Sequence, residues 1–255
     1  MSRYFEVLQR TGIYADLFPA NLAPAVAEPS GPRAVSEELR LPPSPEGRDR
    51  EEIAKLVQQV FLAAIGAGAR RAVLFCGVED GKGSSRICAQ AGRLLAELGT
   101  GTVCLVDADL RDPSLHRHLR AENRRGLANA LLEAGPIREF ARPFAGGKLW
   151  ILPSGTAQAP AHTLMSSEPV RARLAELRAE FDYVVLHAPP ASSSADALVL
   201  GKRTDGVVLV IEANRTRRET TRQVKDSFDA AQVRLLGAVL DERTFPIPEA
   251  LYRKL

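Results

Sequence analysis

The sequence predicts an α/β fold with a doubly wound, mostly parallel sheet. From about residue 70 onward, short runs that are apolar throughout alternate with segments of helical length. Strands of this kind are typical of parallel sheets that are covered by helices on both faces. The first run leads into a glycine-rich loop and the second ends in acidic residues. Ligands bind at the carboxyl ends of the strands in such sheets, so we expect function to reside in these loops.

The order of the elements follows from the hydrophobic pattern. A helix is predicted over 50–66, because apolar residues recur at helical spacing in REEIAKLVQQVFLAAIG. Apolar runs predict strands at 72–76, 102–109, 149–155, 182–190, 205–213 and 234–242. Helices are predicted between them at 84–99, at about 164–180 and at about 216–231.

The N-terminal part of the chain has a different character. Residues 1–12 have the pattern of a short amphipathic helix, and residues 17–47 are rich in proline. Such a composition is typical of a linker. We therefore predict an N-terminal helix and linker over 1–49 and an α/β domain over 50–255.

Composition excludes several classes of protein. Of 255 residues, 45% are hydrophobic and 25% are charged, which is ordinary for a globular domain. The net charge is +3 and the basic residues are spread out, so no nucleic-acid partner is expected. No apolar stretch is long enough to span a membrane. The three cysteines follow no ligand spacing and are expected to be buried free thiols of a cytoplasmic protein.

The loop GVEDGKGSSR at 77–86 joins the first strand to a helix. Backbone amides at the start of that helix would favour an anion. Three interpretations compete: a P-loop, whose pattern is G-x-x-x-x-G-K-[ST], a G-x-G-x-x-G dinucleotide turn, or a purely structural turn. Gly81-Lys82-Gly83 supplies G-x-G, but Arg86 stands where the third glycine would be. The loop does not separate these interpretations.

The segment VCLVDADLRDPSLH at 103–116 is more informative. Asp107 and Asp109 follow a strand and suit a magnesium ion or the activation of a hydroxyl group. Arg111 adds a cation within reach of phosphate. The segment resembles the hydrophobic-D-x-D-x-R signature, usually followed by R-P-S-L-H, of the bacterial tyrosine kinases of capsule and exopolysaccharide synthesis, the CpsD/CapB-like family.

Further motifs extend this resemblance over about residues 50–255. FDYVVLHAPP is similar to the family's D-Y-V-I-I-D-T-P-P, and Asp196-Ala197 follows as it does there. The last strands and the C-terminus also resemble the family. The resemblance implies a P-loop fold related to the ParA/MinD-type ATPases, with ATP and Mg²⁺ as cofactors. The implied catalytic residues are Asp107 and Asp109, the implied metal ligands are Ser85 and Asp107, and the implied nucleotide-binding residues are Gly81, Lys82, Gly83, Ser84, Ser85, Arg111 and Asp241.

The sequence departs from the family at four places. The phosphate-binding lysine falls on Ser84, and Lys82 falls between the loop glycines. The second metal-site aspartate falls on His187, whose imidazole is a poor substitute because Mg²⁺ prefers oxygen ligands. The asparagine that reads adenine falls on Asp241. The ring-assembly motif E-x-x-R-x-x-R has lost both arginines, at Ala54 and Val57, which weakens the expectation of an octamer.

These departures favour a degenerate family member that regulates or scaffolds exopolysaccharide export, with weakened binding of ATP and Mg²⁺. Its expected partner is a membrane-embedded chain-length regulator or an active kinase paralogue, which would recruit it to the inner face of the membrane. Assembly into a homo-oligomer is a further expectation. One alternative is an active ATP-dependent tyrosine autokinase that uses Lys82, with Tyr252 as phosphoacceptor. Another is a nicotinamide-dependent oxidoreductase.

Two further features have both a functional and a structural interpretation. His187 is either a new catalytic base or a half-buried histidine at a strand end. The basic residues Arg215, Arg217, Arg218 and Arg222 either bind an acidic partner or form a solvated helix face. The structural interpretation is favoured for both.

Overall fold

The computed structural model describes residues 47–62, 72–99, 101–144, 146–156, 160–165 and 168–242. The helix predicted over residues 1–12, nearly all of the proline-rich segment and Tyr252 lie outside the described residues. The six predicted strands lie within the described residues, whereas the helices predicted over 50–66 and at about 164–180 lie partly outside them.

The described residues form one seven-stranded sheet, and the predicted mostly parallel α/β fold is confirmed. The strands are β1 (Ala72–Gly77), β2 (Val103–Asp107), β3 (Arg142–Pro143), β4 (Leu149–Leu152), β5 (Tyr183–Ala188), β6 (Gly206–Glu212) and β7 (Leu235–Asp241). Their order in the sheet is β3-β4-β2-β5-β1-β6-β7. All neighbouring strands are parallel except β3, which is antiparallel to β4. The sequence did not predict β3, because its two residues carry no apolar run.

The helices are α1 (Arg48–Val57), α2 (Gly83–Leu98), α3 (Leu115–His118), α4 (Leu127–Leu132), α5 (Ala161–Met165), α6 (Glu168–Glu180), α7 (Asp196–Gly201) and α8 (Arg218–Ala230). A π-helical turn, Gln58–Leu62, continues α1, and a 3₁₀ turn spans Ile137–Glu139. Most of the helix predicted at about 164–180 is present as α6, and α5 ends at Met165; residues 166–167 lie outside the described residues. The helices α3, α4 and α7 were not predicted because segments of four to six residues are too short to show a helical period.

Strand β1 shows how the core is divided. Leu74 and Cys76 belong to one buried hydrophobic cluster, and Val73 and Phe75 belong to the other. Side chains alternate between the faces of a strand, so β1 contributes to both layers of core. This explains why its sequence is apolar throughout rather than alternating.

Helix α1 belongs to the same layer as α2. Its residues Ile53 and Val57, and Phe61 in the π-helical turn, join the second hydrophobic cluster together with Leu95 of α2. The Phe61 ring meets the Tyr183 ring edge to face, with centroids 6.1 Å apart. Burying an apolar side chain of this size contributes about 1.5–3 kcal/mol, so α1 is an integral part of the domain.

The cysteines and the apolar character of the helices were both the subject of predictions from composition. Cys76, Cys88 and Cys104 are buried and free, as predicted. Within the described ranges, no helix has both the length and the apolar character needed to cross a bilayer.

Candidate functional site at the carboxyl ends of the strands

The loop after β1 leads directly into α2, which starts at Gly83 with Lys82 as its N-cap. Both glycines of the G-x-G segment are required for close packing. A Cβ atom added at Gly81 would lie within 3.0 Å of the Glu212 carboxylate, and one added at Gly83 would lie within 3.0 Å of Asp241 Oδ2. The loop is therefore packed against two carboxylates from the ends of β6 and β7.

Three polar side chains form a continuous hydrogen-bonded chain beside this loop. Ser84 Oγ lies 3.2 Å from His187 Nε2, and His187 Nδ1 lies 3.2 Å from Asp107 Oδ1. The three residues are 5%, 4% and 0% exposed, respectively. Because a carboxylate accepts hydrogen bonds, the tautomer that fits this order has its proton on Nδ1 toward Asp107 and its Nε2 accepting from Ser84. The expectation that His187 is half-buried was wrong, since the residue is buried and both ring nitrogens have hydrogen-bond partners.

Sheet order explains why these residues meet. Strand β5 lies between β2 and β1, and Asp107 and His187 are register partners in the β2–β5 pair. Ser84 follows β1 on the other side of β5. The imidazole at the end of the middle strand therefore bridges groups from the strands on either side.

The second carboxylate oxygen of Asp107 is engaged by backbone. Asp107 Oδ2 accepts hydrogen bonds from the amides of Ser114 and Leu115, at 3.0 and 2.9 Å. These bonds tie the start of α3 to the end of β2. Both oxygens of this buried carboxylate thus have protein partners.

Asp109 shapes the loop that follows β2. Its Oδ1 accepts hydrogen bonds from the amides of Arg111 and Asp112, both at 3.0 Å. Burial raises the pKa of Asp109 above its ordinary value, and these two hydrogen bonds oppose the shift. The Arg111 guanidinium lies 3.4 Å from the Asp196 carboxylate at the start of α7. Asp109 and Arg111 therefore both have structural partners.

A second serine–histidine pair lies next to the first. Ser85 Oγ is 3.0 Å from His118 Nε2, at the end of α3. Burial is the largest cause lowering the pKa of His118, which favours its neutral form. No motif pointed to His118, although it follows the D-x-D-x-R signature closely in the chain.

Asp241 ends β7 and forms an ion pair with Arg86. Its other oxygen, Oδ2, is buried and has no hydrogen-bond partner in the part of the chain that the structure describes. Glu212 lies nearby at the end of β6 and pairs with Arg215 at 3.0 Å. Glu212 was not predicted as a site residue, because an acid after an apolar run has no distinctive motif.

The hydrogen bonds of Ser85 and Asp107 bear on whether the site could hold magnesium, and the start of α2 bears on whether it could hold phosphate. The Ser85 hydroxyl is bonded to His118, and both Asp107 oxygens are engaged. A magnesium ion held by Ser85 and Asp107 would compete with these hydrogen bonds for the oxygen donors that it requires. The start of α2 offers backbone amides to an anion. The side chain at position 84, however, is a hydroxyl and supplies no positive charge.

Lys82 and the basic residues after β6 are all exposed. Within the described ranges, the Lys82 ammonium makes no hydrogen bond and no ion pair. The basic residues Arg215, Arg217, Arg218 and Arg222 are solvated, as the structural interpretation expected. The predicted residues 81–85, Asp107 and Asp241 lie at one edge of the sheet, whereas Tyr252 lies outside the described residues.

Comparisons with known proteins agree with the fold. Residues 71–228 match the family model described as cellulose biosynthesis protein BcsQ. The tyrosine-protein kinase YwqD of Bacillus subtilis is 31% identical over 171 residues, which cover 67% of this chain and 72% of YwqD. The succinoglycan biosynthesis transport protein ExoP of Rhizobium meliloti is 31% identical over 192 residues, which cover 74% of this chain and 24% of ExoP.

Solved structures show the same architecture. The crystal structure of the chimerical protein CapA2B2 aligns with a TM-score of 0.73 at 22% identity, over 79% of this chain and 88% of the other. ParA-type ATPases share the fold as well. The mostly parallel sheet with a loop-to-helix turn after β1 is therefore that of the P-loop proteins.

Proposed function

Since the chain belongs to the family of bacterial tyrosine kinases with a ParA-like P-loop fold, we propose that it regulates or scaffolds the biosynthesis and export of an exopolysaccharide or capsule. The names of relatives that act in cellulose and succinoglycan biosynthesis support this setting. In this role the protein transfers phosphate weakly or not at all.

The hydrogen-bonded chain Ser84–His187–Asp107 carries the proposal. By resemblance, Ser84 takes the place of the phosphate-binding lysine and His187 that of a metal-site aspartate. The two replacements contact each other, so they change one centre rather than two unrelated positions. Phosphoryl transfer depends almost entirely on positioning and on charges that stabilise the transferred group. A hydroxyl and an imidazole supply neither the lysine ammonium nor the metal-shell carboxylate.

Recruitment follows from the same family membership. We expect a membrane-embedded chain-length regulator, or an active kinase paralogue, to bring the protein to the inner face of the membrane. Binding of nucleotide by the loop backbone would survive in weakened form, because the amides at the start of α2 are retained.

Titration of the purified protein with a fluorescent ATP analogue, with and without Mg²⁺, tests the proposal together with an assay for phosphotyrosine. We expect weak binding of the ATP analogue that Mg²⁺ does not strengthen, and no phosphotyrosine. Tight binding of NAD without binding of ATP would instead favour the oxidoreductase alternative.

A restored site provides a sharper test. The double variant Ser84→Lys with His187→Asp returns the cation and the carboxylate. One charge-assisted hydrogen bond contributes about 1.5–3 kcal/mol, so we expect affinity for Mg-ATP to rise about 10- to 100-fold. Ser84→Met with His187→Asp is the matched control, because methionine has similar bulk without the charge. Equal affinities of the two variants would show that position 84 is not the lysine position.

The exposed Lys82 ammonium, unpaired among the described residues, favours a second candidate, an active autokinase that uses this residue. Phosphotyrosine that forms in the native protein and disappears in both Lys82→Ala and Tyr252→Phe would establish that candidate and overturn the regulatory proposal.

A further inference from the structure

We propose that Ser84, His187 and Asp107 form a nucleophilic triad, in which Ser84 attacks a small, neutral carboxylic ester. This activity is separate from the proposed regulatory role and does not depend on it. The three groups follow one another in the order hydroxyl, imidazole and carboxylate, with 3.2 Å between hydrogen-bonded atoms at each step. Serine hydrolases on unrelated folds share this arrangement, which is recognised by geometry and roles rather than by sequence order.

The surroundings fix each member of the triad. The amides of Ser114 and Leu115 hold the Asp107 carboxylate through Oδ2, leaving Oδ1 directed at the imidazole. That carboxylate holds the His187 proton on Nδ1, so Nε2 faces the serine as an acceptor. The neighbouring pair Ser85–His118 provides an internal contrast. Within the described ranges, His118 has no carboxylate hydrogen-bonded to its ring, so this pair lacks the third member.

Backbone donors for the developing oxyanion are present on the same turn. Ser84 is the second residue of α2 and follows a strand-to-helix turn. The first amides of a helix have no intrahelical acceptor. In hydrolases whose nucleophile occupies such a turn, the amide of the next residue binds the oxyanion. Ser85 N–H occupies that position here.

The local charges select the class of substrate. Asp107 and Asp109 are buried after β2. Glu212 and Asp241 pack against the loop glycines and are paired with arginines. The buried carboxylates of Asp107 and Asp109 disfavour a polyanionic substrate, whereas a neutral ester meets no such repulsion. Ser84 is only 5% exposed, so a small acyl group is favoured over a bulky one.

The proposed reaction has two steps. In the first, Ser84 Oγ bonds to the ester carbonyl carbon, its proton moves to His187 Nε2, and the C–O bond to the alcohol breaks as that proton is delivered to the leaving oxygen. In the second, water attacks the acyl-serine with His187 again taking the proton. The carboxylic acid leaves, and Ser84 regains its hydrogen. Asp107 stabilises the transient imidazolium and acts as a positioning residue.

Covalent labelling tests the proposal. The full-length protein is treated with a fluorophosphonate probe and, separately, with 4-nitrophenyl acetate, and the labelled peptide is identified by mass spectrometry. We expect label on Ser84 and none on Ser85. Ser84→Ala should abolish labelling and ester hydrolysis, whereas Ser227→Ala, on the exposed part of α8, should leave both unchanged. Circular dichroism and thermal melting establish that each variant is folded.

Two more variants separate a triad from a structural hydrogen-bonded chain. His187→Gln retains polar contacts but removes the base, and it should lower the labelling rate by several orders of magnitude. Asp107→Asn should lower it on the order of 10⁴-fold. The low-field proton resonance of His187 Nδ1–H should persist in Ser84→Ala and disappear in Asp107→Asn. Absence of label from the folded native protein, or label that survives Ser84→Ala, would overturn the proposal.

Discussion

The Asp241 carboxylate packs against the Cα atom of Gly83, and its Oδ2 atom has no hydrogen-bond partner in the described part of the chain. The other oxygen of the same carboxylate is paired with Arg86, in the first turn of the helix that Gly83 begins. The side chain at the end of β7 therefore contacts both the first residue of α2 and an arginine in its first turn. This places a carboxylate beside the first residue of α2.

Gly83→Ala should destabilise the protein by about 1–3 kcal/mol, because the new methyl group collides with the anchored Asp241 carboxylate. The change is read from urea unfolding curves. Gly237→Ala is the matched control, since no atom lies within 4 Å of its added Cβ, and a change within about 0.5 kcal/mol is expected there. In an Asp241→Ala background the cost of Gly83→Ala should shrink, because the colliding oxygen is gone. Equal costs in both backgrounds would contradict the packing argument.

Asp109→Asn should change how stability depends on pH. Burial raises the pKa of Asp109 above its ordinary value of 3.8, so the folded state holds this proton more tightly than the unfolded state. The associated stability is present at low pH and is lost as the pH rises above 3.8 through the folded pKa. Asparagine keeps the acceptor oxygen for the amides of Arg111 and Asp112 but carries no charge. The variant should therefore gain stability relative to the native protein as the pH rises.

Unfolding curves at a series of pH values from 3 to 8 measure this difference. Asp112→Asn makes the same change in net charge at an exposed site of the same loop and should show a much smaller trend. A relative loss of stability for Asp109→Asn with rising pH would show that the charged carboxylate is favoured by its surroundings.

The three thiols should be unreactive in the folded protein. Burial raises the pKa of Cys76 to about 12 and that of Cys104 further, while burial and the charge of Asp107 raise the pKa of Cys88. The thiolate is the reactive form, so modification by a maleimide at pH 8 should require unfolding. Because the folded pKa values lie above the ordinary value of 9.0, stability should also fall as the pH rises past about 9.

Mass spectrometry after a timed maleimide reaction measures the thiol modification. Ser227→Cys supplies an exposed thiol on α8 in the same molecule and should react within the mixing time. Modification of any native cysteine at a comparable rate would show that its burial is not maintained in solution.

Much of the architecture was predictable from local patterns. The apolar run 72–76 predicted β1 almost to the residue, because a strand that is buried on both faces has no polar positions. The glycine-rich loop and the acids of LVDAD come at the ends of apolar runs, so they were placed at the carboxyl edge of the sheet. Short elements such as α3 and β3 were missed, since neither is long enough for a period to appear.

The sequence by itself determined the parallel α/β fold, the family resemblance and the departures from it at Ser84 and His187, because these depend on hydrophobic period and ordered motifs. It did not determine what the departures mean together. Only the tertiary structure brought Ser84, His187 and Asp107 into one hydrogen-bonded chain, since strand order in the sheet, and not order in sequence, sets which strand ends are neighbours. The same packing placed Asp241 against Gly83 and His118 against Ser85, contacts between residues that no local pattern connects.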